Sequence, residues 1–130
     1  MIGLDTNILV RFIVEDDRDQ SAAARSVIDG LSEADPGYVS LVAVAETVWV
    51  LERAYRRSND EIATVLERLL QIESLVVQSE QEVFSATIAL KEGKGAFADA
   101  LIGALSAKAG CRATLTFDRK ALRLPGFEHP

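Results

Sequence analysis

Short apolar runs alternate with longer helical segments along this sequence, and that alternation restricts the possible folds more than any other feature. Strands are predicted at Met1–Leu4, which we expect to be buried, and at Gly37–Ser40, Ser74–Gln78 and Ala113–Phe117. Helices are predicted at residues 6–14, 19–31, 41–57, 58–72, 80–91 and 97–109, and a short helical turn follows the last strand. Strands that alternate with helices favour an α/β fold with a central, mostly parallel sheet flanked by helices.

The composition is that of a single globular domain covering residues 1–130. Hydrophobic residues make up 48% of the chain and charged residues 26%, which is near the globular average. The longest apolar segment, Leu41–Leu51, is interrupted by Glu46 and is shorter than the roughly 18 residues that a membrane span needs. The N-terminus lacks the basic region and cleavage site of a secretory signal, so we expect a cytoplasmic protein.

Cysteine, histidine and net charge exclude several classes of function. The single cysteine, Cys111, cannot build a disulfide framework or a zinc ribbon. The single histidine, His129, lies at the C-terminus and argues against a His-based metal site or catalytic triad. The net charge of −6 argues against a general nucleic-acid coat, because phosphate neutralisation needs excess lysine and arginine. An enzyme that stores carboxylates for metal ions can nevertheless be acidic overall.

Two aspartates follow predicted strands. Asp5 comes directly after the first strand and Asp118 directly after the last. Because the functional crevice of an open α/β sheet lies beyond the carboxyl ends of its strands, both carboxylates are candidates for an active site. Either could instead cap the helix that follows it. At the first position, capping by Thr6 or Asn7 would leave Asp5 free to enter the crevice.

Two further acids lie among apolar residues. Glu46 is the lone charge in its apolar segment, and helical spacing puts it on one face with Val42, Trp49 and Val50. A buried, unpaired glutamate costs several kcal/mol, so it needs a basic partner, a proton or a bound cation, of which we favour the cation. Asp99 lies in the first turn of a predicted helix, where it could serve a site or only complement the helix dipole.

Together these acids indicate metal-dependent hydrolysis of phosphodiesters. A ligand set of carboxylates without cysteine or histidine suits hard ions such as Mg²⁺ or Mn²⁺. Such ions lower the pKa of a bound water and stabilise the attacking and leaving oxygens of an in-line displacement. The candidate catalytic residues are Asp5, Glu46, Asp99 and Asp118.

Several basic residues could border the crevice and contact RNA phosphates, although an ordinary solvated surface explains most of them better. They are Arg11, Lys91, Lys94, Arg119 and Lys120. Lys94 is the best candidate, because its loop leads into the predicted helix with Asp99, and Arg11 and Arg119 are the others we retain. Three aromatic side chains are predicted to belong to the core rather than to stack on bases: Trp49, Phe84 and Phe97.

Four stretches, in order, resemble the PIN-domain ribonucleases, and within them the VapC-type toxins of bacterial toxin–antitoxin pairs. They are MIGLDTNILV at residues 1–10, AETVWVL at 45–51, FADALI at 97–102 and LTFDR at 115–119. Each stretch is short, but four in register span nearly the whole chain. The resemblance implies an active endoribonuclease, because no acid of the family's quartet is missing.

The resemblance also assigns roles to individual residues. It implies Asp5, Glu46, Asp99 and Asp118 as the acidic quartet, with metal ligation shared mainly by Asp5, Asp99 and Asp118. It implies Asn7 and Thr116 as supporting polar residues. It further implies a homodimer and a cognate antitoxin that blocks the site, often by inserting a basic side chain among the acids.

Three alternatives belong to other classes of protein. A phosphate-accepting signalling receiver needs an acid at the end of a middle strand and a lysine after a late one, whereas Glu46 lies in a predicted helix and Asp118 takes the lysine's place. A phosphatase of the Asp-x-Asp type needs an acid at position 7, which is Asn7. A catalytically silent PIN-like module that binds RNA or a partner stays open, although the intact quartet argues against it.

Overall fold

Helices and strands alternate along the chain in the predicted order. The computed structural model describes all residues from Met1 to Pro130. The strands are β1 (Ile2–Gly3), β2 (Gly37–Val39), β3 (Leu75–Val77), β4 (Thr114–Leu115) and β5 (Phe127–Glu128). The helices are α1 (Thr6–Ile13), α2 (Arg18–Asp29), α3 (Leu41–Arg53), α4 (Asn59–Leu70), α5 (Glu80–Lys91) and α6 (Phe97–Lys108), and a 3-10 turn covers Ala121–Arg123.

The predicted parallel sheet is confirmed for three of the strands. They pair in the order β1-β2-β3, all parallel, with Ile2 opposite Gly37 and Gly37 opposite Leu75. The fourth strand was expected in the same sheet, but it pairs instead with β5 in a separate two-stranded sheet. The tail turns back at Gly126, which adopts a left-handed φ of +80°, and its carbonyl accepts from Thr114 N at 2.8 Å.

The first strand was predicted to be buried, and that prediction is wrong. Ile2 is 52% exposed on β1, which is an edge strand of its sheet. Leu4, the residue that leads from β1 towards α1, is buried in the core. The strand therefore anchors the start of α1 through the residue after it rather than through its own side chains.

Local backbone conformation explains where α3 ends, and side-chain capping explains where α4 begins. The predicted helix to Arg57 stops at Arg53, and Arg56 adopts a left-handed φ of 51°, which a helix cannot continue through. Ser58 then caps α4: its hydroxyl accepts from Glu61 N at 3.2 Å, while the Glu61 carboxylate accepts from Ser58 N at 3.1 Å. Those bonds lower the pKa of Glu61, the Ser58 backbone bond having the largest effect.

The aromatic predictions are correct for one residue of three. Phe97 is 1% exposed and packs in the central core, whereas Trp49 and Phe84 are 57% and 49% exposed. The two errors share one cause, since α3 and α5 each bury the face opposite the aromatic side chain. The buried residues are Ala43, Val44, Thr47, Val48 and Leu51 on α3, and Val83, Ala86, Thr87 and Leu90 on α5. None of the six helices is long and apolar enough to cross a membrane.

Thr47→Val is expected to raise the free energy of unfolding by about 1 kcal/mol, since it removes a buried hydroxyl that has no hydrogen-bond partner. Urea unfolding of the purified variant measures the change. The matched control is Thr87→Val: the Thr87 hydroxyl is equally buried but donates to Val83 O at 2.8 Å, so its removal should lower stability. Equal shifts in the two variants would show that the unpaired Thr47 hydroxyl carries no penalty.

Candidate active site

The first pair of quartet acids lies where α1 begins. Asp5 is the N-cap of α1 and accepts from Thr6 N at 2.8 Å, so capping by Thr6 or Asn7, the alternative that would have left Asp5 free, is wrong. Thr6 is buried, and its hydroxyl donates to Glu46 Oε1 at 2.5 Å. Thr6 therefore connects Asp5 to Glu46 across 40 residues of sequence, a link that no local pattern could reveal.

Glu46 is exposed on α3, not buried as the apolar segment suggested. Its neighbours on the same face, Val42 and Trp49, are 75% and 57% exposed. An exposed carboxylate needs no cation to offset burial, so the energetic argument for a metal at this position fails. The Thr6 hydroxyl binds Oε1 of Glu46, and the next residue after Thr6, Asn7, is exposed and makes no side-chain hydrogen bond.

The second pair of quartet acids shares one surface cleft of about 490 Å³. Asp99 reaches it from the first turn of α6, and Asp118 from the segment between β4 and the 3-10 turn. The charged and amide side chains along the cleft are Glu52, Asn59, Lys94, Asp99, Asp118, Lys120 and Arg123. No side chain caps the N-terminus of α6, so its first-turn amides remain available at the cleft.

A network of short-range hydrogen bonds holds Asp118 in place. Its amide donates to Thr116 Oγ1 at 3.0 Å, and its Oδ1 accepts from Lys120 N at 2.8 Å and from Ala121 N at 3.4 Å. Asp118 thus caps the turn and also lines the cleft. It therefore fits both roles that the sequence allowed, helix cap and active-site candidate. Its other oxygen, Oδ2, takes no part in these bonds.

The four acids therefore form two pairs rather than one cluster. Asp5 and Glu46 do not line the cleft of Asp99 and Asp118, and no three Asp, Glu, His or Cys side chains lie close enough together to hold a metal ion. The donor chemistry still suits Mg²⁺, which proteins commonly bind through one or two carboxylates together with substrate phosphates. Asp99 and Asp118 supply two such carboxylates to one cleft.

The three predicted RNA-contacting cations have different surroundings. Lys94 lines the cleft and pairs with Glu92, Nζ to Oε2, at 2.9 Å. Arg119 is exposed and does not line the cleft. Lys120, named among the wider set of basic residues, does line it, and so does Arg123, which the sequence analysis missed because no local pattern distinguishes it from a surface arginine.

Arg11 is held in a different cluster, at the end of α1. Its Nη1 donates to Asp16 Oδ1 at 2.6 Å, and Tyr55 OH donates to Asp16 Oδ2 at 2.7 Å. The Tyr55 bond lowers the pKa of Asp16, and the bond to Asp16 raises the pKa of both Arg11 and Tyr55. These three side chains join α1 to the end of α3, and Arg11 is thereby engaged within the protein.

Comparison with known proteins resolves the family. No curated protein matches the sequence. The family model for the PIN domain matches residues 2–126, which is nearly the whole chain. The match includes both acid pairs and agrees with the parallel sheet β1-β2-β3 flanked by helices. The chain belongs to the PIN domain family.

Proposed function

We propose that this protein is a Mg²⁺- or Mn²⁺-dependent endoribonuclease that hydrolyses RNA phosphodiester bonds. PIN domains are generally metal-dependent nucleases, which supports the reaction class. The single observation that carries the proposal is the shared cleft of Asp99 and Asp118, which combines two carboxylates with three basic side chains. Hydrolysis of a phosphodiester needs carboxylates that bind a cation and basic side chains that bind a phosphate, and this cleft supplies both.

Each acid has a distinct part in the proposed mechanism. Asp99 and Asp118 would hold the ion; the resemblance implies Asp5 as a third ligand, although Asp5 does not line their cleft in this structure. When bound, the ion would lower the pKa of a water and stabilise charge on the phosphate oxygens. Thr116 keeps Asp118 oriented through its hydrogen bond to the Asp118 amide. Thr6 orients Glu46, whose free carboxylate oxygen can accept a proton, and the resemblance implies a supporting role for Asn7.

The biological role that we propose is that of a VapC-type toxin acting on RNA in the cytoplasm. The order and spacing of the four matching stretches support it. The same resemblance supports a homodimer and an antitoxin that inserts a basic side chain among the acids. Val42 and Trp49, which flank Glu46 on α3, form an exposed apolar surface that a second chain can cover.

One observation favours a second candidate, a catalytically silent PIN-like module. The two acid pairs do not form a three-acid group in this structure. A module of this kind would bind RNA through the cations of the cleft without cutting it.

Cleavage assays on the purified chain test the proposal. We expect RNA to be cut in the presence of Mg²⁺ or Mn²⁺ and to remain intact with a chelator, because carboxylates alone supply neither a nucleophilic water nor charge neutralisation. A DNA strand of the same sequence tests whether the substrate must be RNA. Metal-independent cleavage would contradict the mechanism, and binding without cleavage under every condition would establish the silent module.

A further inference from the structure

We propose that Lys120 and Arg123, at the two ends of the 3-10 turn, bind the phosphate backbone of RNA beside Asp99 and Asp118. The proposal rests on the proposed nuclease function and assigns its substrate-positioning residues. Both side chains line the same cleft as the two acids. Contacts of this kind fix the position of a nucleic acid strand without reading its sequence.

The cleft has no net formal charge, unlike the protein as a whole. The whole chain has 20 acidic and 14 basic residues, so its net charge repels RNA. The cleft instead combines three acids, Glu52, Asp99 and Asp118, with three bases, Lys94, Lys120 and Arg123. Local charge balance lowers the cost of bringing a polyanion to a carboxylate pair.

Lys120 and Arg123 are also free to bind an external anion. Neither forms an ion pair within the protein, although three carboxylates line the same cleft. Two other exposed lysines, in contrast, are paired, Lys91 with Glu67 at 3.1 Å and Lys108 with Glu82 at 3.0 Å, whereas Arg112 is exposed and unpaired but lies outside the cleft. The cleft therefore presents two unpaired positive charges beside the acids.

The backbone that supports the two cations is firmly held. Asp118 accepts from the Lys120 and Ala121 amides, and Ala121 and Leu124 are buried. Leu124 packs so closely on the loop before α6 that a Cβ added at Gly95 would lie 2.9 Å from its side chain. This contact fixes the turn next to the N-terminus of α6.

The N-terminus of α6 adds to the same positive field. This twelve-residue helix has no capping side chain, and Ala96 and Asp99 of its first turn line the cleft. The unpaired amides and the positive end of the helix dipole favour anions there. A strand in the cleft would thus contact Lys120, Arg123 and the helix terminus.

Salt-dependent RNA binding tests the proposal in an Asp99→Asn background, which prevents cleavage. We expect Lys120→Gln and Arg123→Gln each to reduce the slope of log K against log salt by about 0.7, and the double variant by about 1.4. Arg112→Gln is the matched control, because Arg112 is exposed, unpaired and outside the cleft. The salt slope of the Arg112→Gln variant should equal that of the Asp99→Asn protein. Unchanged slopes in the Lys120 and Arg123 variants would overturn the proposal.

Cleavage kinetics with Asp99 intact separate this proposal from the nuclease proposal. Loss of a phosphate contact should raise KM with little change in kcat, and it should leave the melting temperature unchanged. A lower melting temperature with an unchanged salt slope would indicate a purely structural role and would overturn the proposal. If the unmodified chain cleaves RNA while both slopes stay unchanged, only the role of Lys120 and Arg123 fails. If it neither binds nor cleaves RNA, both proposals fail.

Discussion

Replacing Asp99 with asparagine is expected to reduce RNA cleavage at least a hundredfold, roughly 2.7 kcal/mol of transition-state stabilisation, while the protein stays folded. Asp99 is half-buried at the cleft and its carboxylate makes no hydrogen bond within the protein, so the substitution removes charge without breaking a structural contact. A neutral amide is a poor ligand for Mg²⁺. Single-turnover cleavage with saturating Mn²⁺, together with thermal melting, measures both effects.

Asp60→Asn is the matched control for that experiment. Asp60 also lies in the first turn of a helix, α4, but it is exposed and does not line the cleft. Both substitutions remove a similar interaction with a helix dipole, about 0.3–1 kcal/mol, so stability should change alike. Only Asp99→Asn should lose cleavage. Near-normal cleavage by the Asp99 variant would remove this residue from the proposed mechanism.

Expression of the unmodified chain without an antitoxin is expected to arrest bacterial growth, and Glu46→Gln should relieve the arrest. This substitution should not disturb the fold, because Glu46 is exposed and the amide oxygen of glutamine can still accept a hydrogen bond from the Thr6 hydroxyl. Only the negative charge and the proton-accepting oxygen are lost. Growth curves after induction, with protein abundance followed by immunoblot, measure the effect.

Glu73→Gln serves as the control for growth arrest, since Glu73 is exposed in the loop before β3 and remote in sequence from both acid pairs. This variant should stay as toxic as the unmodified chain. If the unmodified chain is harmless at high abundance yet cuts RNA in the cleavage assay, the toxin proposal fails and the nuclease proposal stands. Relief of arrest by lower abundance alone would remove the support for a catalytic role of Glu46.

Features set by neighbouring residues could be predicted from the sequence. The capping box of Ser58 and Glu61 marks the start of α4, and the predicted bounds of α5, Glu80–Lys91, agree with the structure. Asp5 and Asp118 were placed near strand ends for the same reason. Capping and helix periodicity depend on contacts within about four residues, which a sequence displays directly.

Tertiary packing alone decided which of these side chains meet. Trp49 and Phe84 point away from the core because α3 and α5 each had a better apolar face to bury. Thr6 reaches Glu46 across 40 residues, β4 pairs with the tail rather than with the central sheet, and Arg123 joins the cleft of Asp99. Each of these contacts depends on how whole elements pack, and residues distant in sequence acquire a shared position only when the core that orients them has formed.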